Sequence, residues 1–168
     1  MEIIDKSFKR APGNYVIQSL LAVVAVAVIL FFIEVLTHAV IVAALGASTF
    51  IVFAMPHTIA AQARRLVGGH VVVVVCGCIF YYALVLIGYP EGLQLSQELV
   101  ISIAGALSVG LAIFLMAITN TEHPPAAATA LGIVIGGWSS GVIVFIFLGA
   151  VSLALTRRLL RGYLKDLF

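Results

Sequence analysis

Long apolar runs, separated by only a few polar residues, are the feature that most restricts how this chain can fold. The first run extends from Val16 to about Leu36. About 20 helical residues span the hydrocarbon core of a bilayer, so this run is long enough to cross. Charged residues make up 10% of the 168 residues, and the mean hydropathy is +1.23, whereas a soluble domain carries about 25% charge. We therefore expect an all-α, polytopic transmembrane helical bundle.

Prolines, glycines and charged residues divide the apolar sequence into about six membrane segments, some of them short or broken. The segments that we expect are residues 16–36, 39–55, 68–88, 99–119, 126–137 and 142–155. A polar, basic N-terminal segment (1–15) precedes the transmembrane domain (16–156), and a basic tail (157–168) follows it.

Basic residues favour the cytoplasmic side of a membrane. Six crossings place the basic termini and Arg64-Arg65 on that side, with Glu91 and Glu98 on the other. A competing count treats residues 126–156 as a half-helix plus one crossing, which puts the basic tail outside and breaks this tendency.

Residues 119–131 concentrate the polar chemistry in the second half of the chain. Pro124 and Pro125 cannot lie inside a helix, but the first helical turn accepts proline. We predict that one helix ends near Thr119 and that a short helix begins at Pro124 or Pro125. Its N–H groups and positive dipole end would face Glu122 and His123, which favours an anion. The alternative is an ordinary proline-initiated helix.

Two other polar stretches have both a structural and a functional interpretation. Gly46-Ala47-Ser48-Thr49, near the middle of the second segment, is typical of close helix packing, but it could also open the helix toward a solute. Residues 57–67 predict a short interfacial or re-entrant segment. Within it, Arg64 is either a topological anchor or the fixed positive charge of an anion path. At the far end of the first segment, Glu34, Thr37 and His38 are expected to be interfacial.

Residues 121–131, Thr-Glu-His-Pro-Pro-Ala-Ala-Ala-Thr-Ala-Leu, resemble the HPP family of small integral membrane proteins, which is named for the His-Pro-Pro tripeptide. Residues 46–48, 56–64 and 68–70 extend the resemblance to roughly residues 39–156. Ala63 stands where the family favours proline, and Ala126 stands where it favours glycine. Family members are usually described with about four spans, fewer than the six expected here.

The resemblance implies transport, because plant plastid members of the family are associated with nitrite. We expect a transporter or channel for a small inorganic anion, with nitrite as the first candidate. Hydroxyl, amide and guanidinium groups would replace part of its hydration shell, and the histidines would supply charge or a proton. The candidate substrate-binding residues are Gly46, Ser48, Thr49, Gln62, Arg64, His70, Asn120, Thr121, His123, Pro124 and Pro125.

Two other classes of function stay open at this point. The histidines at 38, 57, 70 and 123, with Glu34 and Glu122, are sufficient in number for a metal-binding membrane enzyme, but no clustered ligand motif is present. We expect no metal, no cofactor and no enzyme activity. A non-transporting assembly subunit is the other class. The expected partners are the anion, the lipid bilayer and further copies of the chain, without nucleic acid. No transit-like extension precedes the first span, which favours a bacterial inner membrane.

Overall fold

The computed structural model describes residues 10–31, 39–88 and 96–167, and for residues 26–31 it describes the backbone alone. Within these ranges the secondary structure is helical, without a strand, which confirms the predicted helical bundle. The six α-helices are α1 (Pro12–Phe31), α2 (Ala39–Ala54), α3 (Ala63–Ile87), α4 (Gln97–Thr119), α5 (Pro124–Gly136) and α6 (Ser140–Leu160). A short 3₁₀ turn, Ile59–Ala61, lies between α2 and α3.

Three of the described helices, α3, α4 and α6, are long and apolar enough to cross a membrane, with 25, 23 and 21 residues. The apolar helices α2 and α5 are shorter, with 16 and 13 residues. At the helical rise, α5 is about 20 Å long, well below the thickness of about 30 Å of a hydrocarbon core. Its ends therefore lie at membrane depth or close to it, where protein must surround any non-helical backbone.

Side-chain contacts show that successive helices reverse direction. A Cβ added at Gly69 would lie 2.8 Å from His123, and one added at Gly77 would lie 2.9 Å from Ile133, so α3 and α5 run parallel. Ser48 of α2 also contacts His123, whereas Ile41 lies against Gly132, so α2 and α5 run antiparallel. The chain therefore returns to one end of the bundle after every second helix, as six segments require.

We call this end the basic end, because it carries Arg64, Arg65, Arg157 and Arg158. It is formed by the α2–α3 linker, the α4–α5 linker and the last turn of α6. Cations in the last turn of a helix are favourable because they face its negative dipole end.

The short helix α5 lies in the middle of the bundle and packs against α2, α3 and α4. Glycines allow this close approach. An added Cβ would come within 2.7–2.9 Å of a side chain on the facing segment at Gly68, Gly69, Gly77, Gly105 and Gly132. Small residues at helix contacts are the usual means of close packing in membranes, where burial of apolar surface drives association little.

Several predicted boundaries differ from the structure. Helix α3 begins at Ala63, five residues before the predicted start, so Arg64 and Arg65 belong to its first turn and not to a separate interfacial segment. The α2 helix is continuous through residues 46–49, so the alternative in which it opens here toward a solute does not hold in this structure. Pro12 occupies the first turn of α1, a position suited to its fixed φ angle. Predictions for Glu34, Thr37, His38 and the loop around Glu91 lie outside the described residues.

The chain beyond α6 folds back beneath the ends of α1 and α2. Leu164 and Leu167 are buried, and the Leu167 N–H donates to the Ala54 carbonyl at 2.9 Å. Gln18 of α1 is 3% exposed and holds the tail in place. Its amide nitrogen donates to the carbonyls of Phe53 and Lys165, and its amide oxygen accepts from the Lys165 N–H at 2.9 Å.

Candidate functional site

His123 is the N-cap residue of α5, and its imidazole is completely buried between α2 and α3. Its Nδ1 lies 3.0 Å from the carbonyl oxygen of Ala60, in the 3₁₀ turn. A carbonyl oxygen only accepts, so Nδ1 carries a proton and donates it. Nε2 lies 2.9 Å from the Ser48 hydroxyl. In the neutral ring this nitrogen is an acceptor, so the backbone of the α2–α3 linker fixes the tautomer.

Ser48 has one hydroxyl proton and two acceptors within reach. Its Oγ lies 2.9 Å from the Ala44 carbonyl oxygen, one turn earlier in α2, and 2.9 Å from His123 Nε2. The Ala44 carbonyl already accepts from the Ser48 N–H within the continuous α2 helix, so the hydroxyl proton of Ser48 can donate to His123 Nε2 and the neutral ring is matched.

The second buried imidazole belongs to His70 of α3, which has no exposed surface. Its Nδ1 lies 2.8 Å from the Leu66 carbonyl oxygen of the preceding turn and donates to it. Its Nε2 has no hydrogen-bond partner among the described residues. The His70 and His123 ring centroids are 5.5 Å apart, with the ring planes tilted by 45°. A buried acceptor without a partner is costly, and such atoms mark places where a ligand or water binds.

The α4–α5 linker positions His123 against α3. Asn120 ends α4 in the left-handed conformation, with φ 56°, and the Thr121 N–H donates to the Met116 carbonyl at 2.9 Å. This closing pattern is common at helix C-termini. The linker then passes over Gly68 and Gly69, where an added Cβ would lie 2.8 Å from Thr121 and from His123 respectively. Two glycines in the second turn of α3 therefore allow the linker to lie directly on the helix.

Charged groups cover the surface outside the imidazole pair. The Arg65 guanidinium forms an ion pair with the Glu122 carboxylate and also donates to the Asn120 side chain. The exposed Arg64 donates to the Thr119 carbonyl at 3.2 Å. This polar network joins the first turn of α3 to the α4–α5 linker.

Burial disfavours a positive charge on His123 in this state, because the ring has lost its hydration in the interior of the bundle.

The structure brings together some of the predicted site residues and separates others. Ser48, His70 and His123 form the buried centre, and Thr121, which is 9% exposed, lies beside Gly68. Arg64 and Asn120 lie outside it at the basic end. Gln62 and Pro124 are exposed, and Pro125 is half-buried. A Cβ added at Gly46 would have no atom within 4 Å, so no other segment packs closely there. Thr49 donates to the Leu45 carbonyl of its own helix.

The predicted set of amide donors at the start of α5 differs from the structure. Pro124 and Pro125 have no N–H, and the Ala126 N–H donates to the His123 carbonyl at 2.9 Å. The first three positions therefore offer an anion no free amide. The dipole of the helix remains, but the polar atoms that a ligand can meet here are side-chain atoms.

Sequence reasoning did not assign Arg65, Glu122 or the Ala60 carbonyl to the site. Their contacts join residues 57 to 63 positions apart in the chain, and no local pattern predicts them. Gly69 does carry a signal, because a glycine next to a buried histidine inside a helix costs stability and implies a close neighbour.

Two cavities in the described structure lie away from the imidazole pair. An apolar cavity of about 470 Å³ lies between α1, α2 and α6, lined by Leu21, Phe53 and Leu148 among others. The other, of about 450 Å³, lies at the opposite end beside Tyr81 and Gln97. Among the described residues, no three His, Cys, Asp or Glu side chains come together as a metal site would require.

A bundle of apolar helices around a short, proline-initiated helix with a buried histidine cap defines a polytopic membrane protein. The chain belongs to the HPP family, since residues 9–163 match the family described as "HPP, transmembrane region". This confirms the resemblance seen in the sequence.

Two curated relatives come from Dictyostelium discoideum, and both are named only as transmembrane proteins. One is 34% identical over 131 residues, which cover 75% of this chain and 42% of the relative. The other is 32% identical over 125 residues, covering 71% of this chain and 37% of the relative. The chain thus spans about two fifths of the length of these relatives. No solved structure matches it.

Proposed function

We propose that this protein moves a small monovalent anion across a membrane, and that nitrite is the first anion to test. The observation that carries the proposal is the buried pair of His70 and His123, in which His70 Nε2 has no partner in the part of the chain that the structure describes. In an apolar bundle such a group is costly to keep. A polar solute that binds there would account for its presence.

Size and chemistry both favour a small anion. Ser48 and the two imidazoles offer a hydroxyl and ring nitrogens within one small volume at the centre of the bundle. These groups can donate to an oxyanion when a proton is available. The choice of nitrite follows from the function associated with plastid members of the family.

The charge of the basic end supports attraction of an anion to this side. Arg64, Arg157 and Arg158 are not in an ion pair with a carboxylate among the described residues, where Arg65–Glu122 and His57–Asp166 are the pairs present. Unpaired cations raise the local concentration of anions at a surface. Of these three, Arg64 contacts the end of α4 next to the α4–α5 linker, because it donates to the Thr119 carbonyl.

Entry requires movement, since neither imidazole has exposed surface in this state. The α4–α5 linker is the element that separates His123 from the surface of the basic end, and the Arg65–Glu122 ion pair fastens it. Release of this linker, or a shift of the short α5, would open the pair to one side. Gly137 ends α5 at its other end with φ 75°, a conformation that glycine adopts readily.

The proposal includes a bacterial inner membrane as the location and a homo-oligomer as the assembly. Large apolar side chains on the outer faces of the long helices, such as Leu86, Phe114 and Leu148, would contact lipid or a second copy. Membrane fractionation and native mass spectrometry in detergent test these two points independently of transport.

Flux across liposomes tests the function. The full chain is reconstituted, and uptake of nitrite, nitrate, formate and chloride is compared with protein-free liposomes, which account for leakage of the undissociated acids. We expect protein-dependent uptake of nitrite, and a clear reduction in Arg64→Ala. If wild-type protein carries none of these anions above the protein-free rate, the transport proposal is wrong and an assembly role or an enzymatic role takes its place.

A further inference from the structure

Among the described residues, one nitrogen of the imidazole pair lacks a partner when both rings are neutral. His70 Nε2 is a buried acceptor without a donor. Both Nδ1 atoms already donate to backbone carbonyls, at 2.8 and 3.0 Å, and the Ser48 hydroxyl, 2.9 Å from His123 Nε2, can donate to that nitrogen. The free proton-binding position of the pair is therefore His70 Nε2.

One added proton at His70 Nε2 turns this acceptor into an N–H donor that has no acceptor among the described residues, and a bound anion would accept from it. A second proton is excluded, because the ring centroids are 5.5 Å apart and two buried cations at this distance repel each other strongly. The pair is thus built to hold a single proton.

A proton alone would be poorly tolerated at this place. In the described structure no carboxylate contacts either ring. The residues packed around the pair are Ser48 of α2, Ala60 of the α2–α3 linker and Thr121 of the α4–α5 linker. The charged groups described at this end of the bundle include Arg64, Arg65, Arg157, Arg158, Glu122 and the surface pair of His57 with Asp166. Glu122 is already paired with Arg65 and Asp166 with His57, so neither carboxylate compensates a cation buried at the rings.

We propose that the His70–His123 pair takes up one proton together with one anion, so that the protein is an electroneutral proton–anion cotransporter. The proton binds to an imidazole nitrogen, and the anion lies beside it, next to the unpartnered His70 Nε2. The two charges cancel, which removes the cost of burying either one alone. The N–H bond forms with a proton taken from the aqueous phase on one side, and it breaks when the proton returns to water with the anion on the other side. This inference rests on the anion transport proposed above.

Proteoliposomes that contain the full chain and an internal pH dye distinguish this mechanism from a channel. Nitrite uptake and proton uptake are recorded together at mildly alkaline pH, where little undissociated acid crosses the lipid, and the rates in protein-free liposomes are subtracted. We expect one proton per anion, faster uptake into an alkaline interior, and no change of rate when a potassium diffusion potential is imposed with valinomycin.

The two proposals fail in different ways. If nitrite uptake follows the imposed potential and no protons accompany it, the cotransport inference is wrong and anion transport stands. If there is no protein-dependent uptake at all, the transport proposal itself fails.

Replacement of His70 tests where the proton binds. His70→Gln keeps a polar side chain but cannot carry a proton, so coupled uptake should fall at least about tenfold relative to the matched exposed control His57→Gln. Coupled uptake at the wild-type rate in His70→Gln would overturn the assignment. If His70→Gln no longer elutes as a monodisperse protein in size-exclusion chromatography, the measurements on wild-type protein decide the inference by themselves. These are the ratio of protons to nitrite and the dependence of uptake on the imposed potential.

Discussion

The Nε2 atom of His123 lies 2.9 Å from the Oγ atom of Ser48, although the two residues are 75 positions apart in the chain. This bond joins the middle of α2 to the cap of α5 and is completely buried. It also ties the one hydroxyl of Gly46-Ala47-Ser48-Thr49 that faces the centre to the histidine of the His-Pro-Pro tripeptide. Two motifs that are separate in the sequence thus form one site.

Removal of the Ser48 hydroxyl should destabilise the bundle. In Ser48→Ala the buried His123 Nε2 has no donor, and an unsatisfied buried acceptor costs about 1–3 kcal/mol. Ser102→Ala in α4 is the matched control, since Ser102 is exposed. Thermal unfolding in detergent should show a clearly lower Tm for Ser48→Ala alone. Equal Tm values for the two variants would mean that the Ser48–His123 bond contributes nothing.

A methyl group at Gly69 should separate α3 from the α4–α5 linker. An added Cβ would lie 2.8 Å from the His123 Cβ and 3.0 Å from the Thr121 carbonyl oxygen, which are not flexible ends of side chains. We expect Gly69→Ala to lose about 1–3 kcal/mol, as is usual for overpacking. Gly110→Ala, where nothing lies within 4 Å, should be neutral or up to about 1 kcal/mol more stable, because alanine favours the helix. Chemical unfolding in detergent measures both, and a stable Gly69→Ala would refute the close approach.

Replacing the Gln18 amide with a carboxylate should destabilise the protein. Its amide nitrogen donates to the carbonyls of Phe53 and Lys165, so Gln18→Glu replaces the donor with an oxygen that faces two other oxygens in a buried place. The loss of both bonds and the burial of a charge should cost several kcal/mol. Gln62→Glu is the control, because Gln62 is exposed and its side chain does not cap α3. Protease protection of the C-terminal tail should be lost in Gln18→Glu and retained in Gln62→Glu.

The segment pattern was predictable because it depends on local properties. Apolar runs, the Pro124-Pro125 break and the basic residues predict helices and their directions with errors of a few residues, as at Ala63. The absence of amide donors at Pro124 and Pro125 was also contained in the sequence, since proline has no N–H. Composition alone did not show that the Ala126 N–H is occupied as well.

The site was predictable only in part, because its contacts depend on how the helices pack. Sequence chose Ser48, His70 and His123, which the structure brings together, but it favoured Arg64 over Arg65, and only Arg65 pairs with Glu122. Adjacent residues of a helix point about 100° apart, so the side that faces the linker is decided by the rotation of α3 within the bundle. The glycines at 68 and 69 set that rotation through the close contact with Thr121 and His123.

Nitrite flux in matched histidine variants tests the central claim most directly. His123→Gln and His57→Gln make the same chemical change, one at the buried centre and one at an exposed position with a side chain 41% accessible. At equal reconstituted amounts, we predict that His57→Gln retains wild-type flux and that His123→Gln falls at least about tenfold, equivalent to about 1.4 kcal/mol or more in the barrier. A correctly folded His123→Gln protein that carries nitrite at the wild-type rate would contradict the account.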